Sequence, residues 1–372
     1  MSVGPVAAGR ALGLAGALLA LAGCADRASE RAARDLEVGR AEVGGVRFEV
    51  QGGLAAVRRA VAGEIELWAG APVLDIAAQV DAGAVRSWTI EVRNAMPDAR
   101  LQPLGAATGA AAVASGAALL ATRRRFALEL PAPASVRLRL APEDADRSEP
   151  FRFAFVSDIQ TGIDRFSEVL ARIGADPAVR FVLSAGDLTQ RGTSEQMERF
   201  QRELESLGVP YFSTLGNHDA SDDTPWHRFF GRCSASFAFH QVQFTLLDTA
   251  DATVAPLAYD WLEGWLREAG GRPQLFVAHV PPLDPAGLRG AGFGSRAEAG
   301  KLLGMLARGG VDLTLYGHIH GYYSFENVGI PAFVSGGGGA FEEKLDGVGR
   351  HFLLVDVDPD RGVSAVRRVD VD

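Results

Sequence analysis

At 372 residues the chain is too long for one typical core, so two folded domains are expected. A hydrophobic content of 47% with 22% charged residues excludes a disordered or fibrous chain. The net charge of -9 excludes a general nucleic-acid binder, which needs a basic surface to displace counterions from phosphates.

Residues 1–23 read as an export signal. Arg10 precedes the apolar run Ala11 to Leu21, which is too short for a membrane span and suits the h-region of a secretory signal. The run ends in Leu21-Ala22-Gly23-Cys24, which resembles the lipobox of bacterial lipoproteins. That resemblance implies loss of Met1 to Gly23 and a lipid anchor on Cys24, placing the chain on the periplasmic or outer face of a bacterial envelope. The alternative is an ordinary signal peptide followed by a chance cysteine. Residues 24–40 are small and polar, as suits a tether between an anchor and a folded body. With Cys24 set aside, Cys233 stands alone, so no intrachain disulfide is expected. No Cys-His pairing surrounds it in sequence, which favours a buried inert thiol over a nucleophile.

Over 41–142 the readable segments alternate with period two: Val46 to Val50, Glu64 to Trp68, Trp88 to Val92, Phe126 to Leu130 and Val136 to Leu140. Short half-buried strands between Gly and Pro predict a small β-sandwich-like domain. Leu104 to Thr122 has the length of a membrane span, but it is largely Ala, Gly, Ser and Thr, whose transfer into lipid gains little. It reads as a loop or weak strand pair. The acidic stretch Ala141 to Pro150, with Pro142 and Pro150, reads as a linker.

Across 151–372 strands alternate with helical patterns. Strands are predicted at Phe151 to Ser157, Phe181 to Ser184, Tyr211 to Thr214, Phe244 to Leu247, Gln274 to Ala278, Leu313 to Leu315, Ile330 to Val334, Phe352 to Val357 and Val363 to Val369. Helices are predicted at Ile163 to Ile173, Ser194 to Leu207, Ala258 to Glu268 and Arg296 to Ala307. The expected class is α/β, a layered β-sandwich flanked by helices and preceded by the small all-β domain.

Asp158, Asp187, Asn217, His279 and His318 each fall at or just past the C-terminal end of a predicted strand, where loops of α/β sheets converge on ligands. Carboxylate, amide and imidazole together suit Mn, Fe or Zn better than Ca, and the lack of cysteines argues against a thiolate site. Two such ions lower the pKa of a shared water and neutralise a pentacovalent phosphoryl group. Turn and capping chemistry is the plain alternative for the Asp and Asn positions.

The clusters Asp158-Ile159-Gln160, Gly186-Asp187, Gly216-Asn217-His218-Asp219, His279 and Gly317-His318-Ile319-His320 are similar, in order, to those of the calcineurin-like metallophosphoesterase superfamily. The resemblance covers about Phe151 to the C-terminus. It implies two divalent ions, with Asp158 and His320 on the first, Asn217, His279 and His318 on the second, and Asp187 bridging. It further implies His218 as the general acid, with Asp219 closing its motif, and hydrolysis of a phosphomonoester or phosphodiester by a metal-bridging hydroxide. Expected partners are a small-molecule or lipid phosphate ester and, through Cys24, a membrane.

Gln160 stands where the family usually has a histidine ligand of the first metal. A neutral amide is a poorer donor than imidazole, so three outcomes are open: a weaker or Mn-selective first site, an unchanged pair with Gln160 outside the ligand sphere, or a single metal. A metal-poor binding protein on the same fold, and a nucleotide or protein phosphatase, are the alternative functions. Gly186 to Gly192 resembles the Ser/Thr phosphatase branch, except that Gln190 replaces the acidic residue that orients the acid histidine there, and it lacks the tyrosine of purple acid phosphatases. Arg191 is a candidate phosphate clamp or a turn residue. The run Gly336 to Gly339 reads as a backbone requirement for positive φ rather than a phosphate cradle. The loop Val280 to Gly294 either frames substrate or is a plain connection, and His227, His240 and His351 belong to no motif.

Overall fold

The computed structural model describes residues 27–105, 112–113, 116–221, 225–287, 290–342 and 347–372. The expected signal, Cys24 and part of the 104–122 segment lie outside them.

Residues 27–35, taken above as tether, are helical and form α1. Their polarity misleads because two of the charges, Arg31 and Asp35, are buried while Arg27, Glu30 and Arg34 face solvent. Arg31 is 4% exposed and pairs through Nε with Asp248 Oδ2 at 2.7 Å and through Nη2 with Asp251 Oδ2 at 2.8 Å. Asp35 is 1% exposed and accepts from the backbone N–H groups of Cys233 (2.8 Å) and Ser234 (3.0 Å), while Ala28 and Ala32 are buried. This segment is therefore docked on the C-terminal half of the chain.

The N-terminal domain follows as β1 (Arg40–Val43), β2 (Val46–Val50), β3 (Ala55–Val61), β4 (Glu64–Ala69), β5 (Leu74–Val80), β6 (Ser87–Arg93), β7 (Arg100–Pro103), β8 (Ala112–Val113), β9 (Ala117–Leu120), β10 (Arg123–Glu129) and β11 (Ala134–Ala141). One sheet has the order β1-β2-β5-β11-β7 and the other β3-β4-β6-β10-β8, with β9 on β10. The predicted alternation holds: in β2, Val46, Phe48 and Val50 are buried and Arg47 and Glu49 exposed. Inward rows such as Ile65, Ile76, Ile90, Phe126 and Leu138 fill the space between the sheets. The expected weak strand pair appears as β8 and β9 against β10. Among the described residues no helix is long and apolar enough to cross a membrane.

The connector 142–150 is held rather than loose. Asp144 is gripped by both Arg180 Nη atoms (2.5 and 3.1 Å), and His240 Nδ1–H donates to the Glu149 carbonyl (2.8 Å). The two domains also meet at Asn94, whose amide accepts from Tyr211 N and donates to Tyr211 O, each at 2.8 Å. Those bonds close the free edge of a sheet that would otherwise expose unpaired backbone groups.

That sheet belongs to the second domain, which contains β12 (Phe151–Phe155), α2 (Phe166–Gly174), β13 (Val179–Ser184), α3 (Ser194–Glu203), β14 (Tyr211–Ser213), α4 (Trp226–Phe229), β15 (Ala235–Phe239), β16 (Val242–Leu247), α5 (Pro256–Glu268), β17 (Gln274–Ala278), α6 (Arg296–Gly309), β18 (Leu313–Tyr316), β19 (Tyr322–Asn327), β20 (Ile330–Ser335), β21 (His351–Asp358) and β22 (Gly362–Asp370). Its sheets run β14-β13-β12-β21-β22 and β15-β16-β17-β18-β20-β19. Aromatic side chains from both pack between them: Phe153 stacks on Phe181 at 5.7 Å and meets Phe244 edge-on at 5.7 Å. Helices cover the outer faces. In α2 the buried residues Phe166, Val169, Leu170 and Ile173 form one helical stripe. Helix α6 starts at Ser295, which accepts from Glu298 N, and ends at left-handed Gly310.

Strands β12, β13 and β14 are mutually parallel, as are β16, β17, β18 and β20. Their C-terminal ends bring the motif loops of both sheets to one edge of the sandwich.

Candidate metal centre

Each predicted ligand is delivered by one of these strand ends: Asp158 after β12, Asp187 after β13, Asn217 after β14, His279 after β17, and His318 and His320 after β18. Asp158, Asp187 and His279 are buried, with ligand atoms all within 4.8 Å of one another. His279 Nε2 stands 3.3 Å from Asp187 Oδ2 and 2.8 Å from Asn217 Oδ1, and His318 Nδ1 stands 2.9 Å from the same Asn217 oxygen. His320 Nε2 is 3.6 Å from Asp158 Oδ1.

Backbone conformation explains why glycines punctuate the motifs. A Cβ on Gly216 would fall 2.1 Å from Asp187 Oδ1, and one on Gly317 would fall 2.2 Å from Ser157 Oγ. The ligand loops touch, and only glycine lets them. Four site residues, Asp158 (φ 62), Gln160 (φ 44), Asp187 (φ 53) and His318 (φ 68), occupy the left-handed region. Such conformations cost roughly 1–3 kcal/mol each and persist where surrounding structure imposes them. The glycine run differs from the sequence expectation. Only Gly339 has positive φ, whereas Gly336, Gly337 and Gly338 are required by close packing: their Cβ atoms would lie 2.3 Å from Ile319 O, 2.3 Å from His351 Nδ1 and 2.5 Å from Ser157 O.

The donor set fits cations. Hydrogen bonding of His279 Nδ1 to the Ala185 carbonyl at 3.0 Å directs Nε2 at two oxygens that cannot donate, Asn217 Oδ1 and Asp187 Oδ2. Either a proton or a metal cation at Nε2 would offset the two oxygens facing it. Burial alone would lower the pKa of His279, yet Asp187 and Asp158 push it up to about 9. Burial raises the Asp158 carboxyl above its ordinary range. For Asp187, burial is outweighed by the charge and hydrogen bond of His279, leaving it at about 2. His318 is pulled down to about 4, first by burial and then by the charge of His279, so it stays a neutral donor. Oxygen and imidazole donors of this kind suit Mn, Fe or Zn. Asp158 and His320 would face one ion, Asn217, His279 and His318 the other, with Asp187 between; Gln160 would join the first only with its carbonyl oxygen turned inward.

Gln160 turns its amide nitrogen to Asp187 Oδ2 (2.8 Å) and His320 Nε2 (3.2 Å), so it lies within the ligand cluster. His320 is aimed by a hydrogen bond from Nδ1 to the Phe341 carbonyl at 2.7 Å. Such an outer partner fixes the tautomer and leaves Nε2 for a metal.

His218 sits at the rim. Its backbone N–H donates to Asp187 Oδ1 at 2.8 Å, and its Nδ1 is 3.0 Å from the Gln190 carbonyl. Gln190, lacking the family's carboxylate, thus supplies a main-chain acceptor that leaves Nε2 of His218 available. Asp219 is not placed for chemistry. It is fully buried, and its carboxylate accepts from Leu188 N (3.1 Å), Gly216 N (3.2 Å), Thr189 N (2.9 Å) and Thr189 Oγ1 (2.8 Å). Its role is to clamp the Asp187 loop to the Asn217 loop. Arg191 is exposed and is held through its backbone N–H by Gln196 Oε1 at 2.8 Å, the geometry of a turn residue. The loop after His279 is tied back by Thr249, whose Oγ1 bonds both Val280 N and Val280 O.

Sequence reasoning missed Ser157, which donates to Asp158 Oδ2 at 2.5 Å, and the orienting carbonyls of Ala185, Gln190 and Phe341. Carbonyls leave no sequence signal. It also missed that Cys233 has a histidine beside it: His227 Nε2 is 3.6 Å from Sγ and 3.0 Å from Asp35 Oδ1. Burial, then the Asp35 charge, raises that thiol well above its ordinary value, so it stays protonated and the trio serves as a latch for α1.

Residues 151–322 match the family model for calcineurin-like phosphoesterases. The C-terminal domain belongs to the calcineurin-like phosphoesterase family. Members of this family hydrolyse phosphate esters with bound metal ions, and the ligand cluster above lies in the matched region, with His320 near its end. A 3',5'-cyclic-nucleotide phosphodiesterase of Nostoc sp. is 26% identical over 153 residues, covering 39% of this chain and 57% of the relative. The chain therefore spans little more than half of that curated relative. Among solved structures, purple acid phosphatase PPD1 from yellow lupin (Lupinus luteus) seeds matches with a TM-score of 0.50 and 13% identity, over 80% of this chain and 72% of that one. At that identity the likeness to the lupin protein is one of fold alone, and its 80% coverage takes in more of the chain than residues 151–372.

Proposed function

We propose that the chain hydrolyses a phosphate ester at a two-cation centre, with His218 as general acid. The observation that carries this reading is the meeting of two buried carboxylates, Asn217 and three imidazoles at one edge of the sandwich, with the His218 ring beside them and its Nδ1 engaged by Gln190. Bound divalent ions would acidify a water and neutralise charge on the phosphoryl oxygens. The chain's own residues do the rest. Asp187 holds the His218 backbone in place, Gln190 fixes its ring, and Nε2 of His218 delivers a proton to the departing ester oxygen. The name of the Nostoc relative inclines the reading towards a phosphodiester of small-molecule size, and a lipid phosphate ester remains within the same chemistry.

The anchor belongs to this proposal. Lipid attached at Cys24 would lie shortly before α1, which is docked on the C-terminal domain by Arg31 and Asp35. The site would then be held close to an envelope surface.

A second reading has one observation in its favour. Gln160 hydrogen-bonds Asp187 and His320 directly, which a metal-poor binding protein could retain. Hydrolysis of bis-p-nitrophenyl phosphate and p-nitrophenyl phosphate after loading with Mn, Fe or Zn separates the two. Turnover that falls about 10²–10⁴-fold in His218→Asn, with metal content kept, supports the hydrolase; no turnover under any loading favours the binding protein.

A further inference from the structure

Phe341 is 82% exposed, an unusual state for a phenyl ring, and it is the only aromatic among the described residues with such exposure of a large apolar side chain. Its position is not arbitrary. Its own carbonyl accepts the Nδ1 hydrogen bond of His320, so the ring is tied one residue's width from a proposed metal ligand. It borders a cavity of about 770 Å³ whose lining includes Thr161, Gly162, Arg165, Gly339 and Glu342. Thr161 directly follows Gln160, so the cavity opens beside the metal ligands. Two of the lining residues, Gly162 and Gly339, are in close backbone contact, since a Cβ on Gly162 would fall 2.2 Å from Gly339 O. The result is a groove lined by glycines and polar side chains, with one exposed aromatic ring, beside the candidate metal centre.

We propose that this groove binds the planar aromatic group of the ester, a nucleobase or aryl ring, stacked on Phe341. The assignment rests on the phosphoesterase reading above and adds the substrate class to it. A flat ring stacked on a phenyl face needs no hydrogen-bond code, since stacking tolerates any base, and the polar side chains of Thr161, Arg165 and Glu342 can meet its edge. A compact alkyl group would leave the phenyl face in water.

The test compares AMP with ribose 5-phosphate, which differ by the base alone, as ligands of the Mn-loaded chain by isothermal titration. The wild-type chain should bind AMP about tenfold more tightly. That preference should fall to near unity in Phe341→Ala and persist in Phe341→Tyr, which keeps the ring. A ratio near one in the wild-type chain, or one unchanged in Phe341→Ala, would overturn the proposal. Hydrolysis measured alongside keeps the two ideas apart: turnover with no base preference sinks the groove alone, whereas absence of turnover on every ester sinks the hydrolase reading and leaves the binding ratio still readable.

Discussion

Asp219→Asn removes half of a clamp while keeping its shape. Oδ1 of Asp219 accepts from Thr189 N and Thr189 Oγ1, and Oδ2 accepts from Leu188 N and Gly216 N. An asparagine that keeps the first pair turns its NH2 towards the second, leaving two buried N–H groups without acceptors. At about 1–3 kcal/mol for each orphaned buried donor, the loss is about 2–6 kcal/mol. For a unit of this size that lowers Tm by roughly 2–4 °C per kcal/mol, so a fall of about 10 °C is expected. The clamped loops carry Asp187 and Asn217, so metal affinity and turnover should fall with it. Thermal unfolding, metal titration and kcat measured on one preparation decide the matter. A variant with unchanged Tm and metal content but a kcat lowered a hundredfold would refute the reasoning, because it would make Asp219 a partner in proton transfer.

Two further outcomes follow from single residues. Gln160→His restores an imidazole between Asp187 and His320, and should tighten binding of the weaker of two ions by about tenfold or more, read by competition with a metal chelator; unchanged affinity would place Gln160 outside the ligand sphere. His351 is fully buried, and burial, with a smaller contribution from the Arg368 charge, holds its pKa below the ordinary value. Below about pH 6.5 the unfolded chain binds a proton that the folded chain refuses, so this contribution is complete above that pH and is lost as pH falls. Tm of the metal-loaded wild-type chain should therefore drop more steeply from pH 7.5 to 5.5 than that of His351→Gln, and parallel slopes would contradict this.

Much of the element order in the C-terminal domain, and the gathering of the candidate residues at strand ends, were legible because both rest on local signals: apolar strand runs, helical periodicity and Gly-Asp, Gly-Asn-His and Gly-His-x-His punctuation. What escaped was long-range. Arg31 and Asp35 look like solvated tether residues until their partners, Asp248 and the Cys233 and Ser234 backbone about two hundred residues away, are seen. Asp219 follows the proposed acid His218 in sequence, yet three of its four hydrogen bonds reach back to Leu188 and Thr189. The glycine run was read for its dihedral freedom, whereas three of its four members serve close approach to Ile319, His351 and Ser157. Strands β1, β3, β5, β7, β15 and β19 were missed; β5 alternates, but its run of small Ala77 and Ala78 weakens the apolar signal.

The most direct test of the central claim is metal content per chain measured together with hydrolysis of bis-p-nitrophenyl phosphate, in the wild-type chain and in His218→Asn. The account predicts two bound divalent ions in both, with turnover in the wild-type chain and its loss in the variant. One ion or none, with no turnover under Mn, Fe or Zn loading, would contradict it.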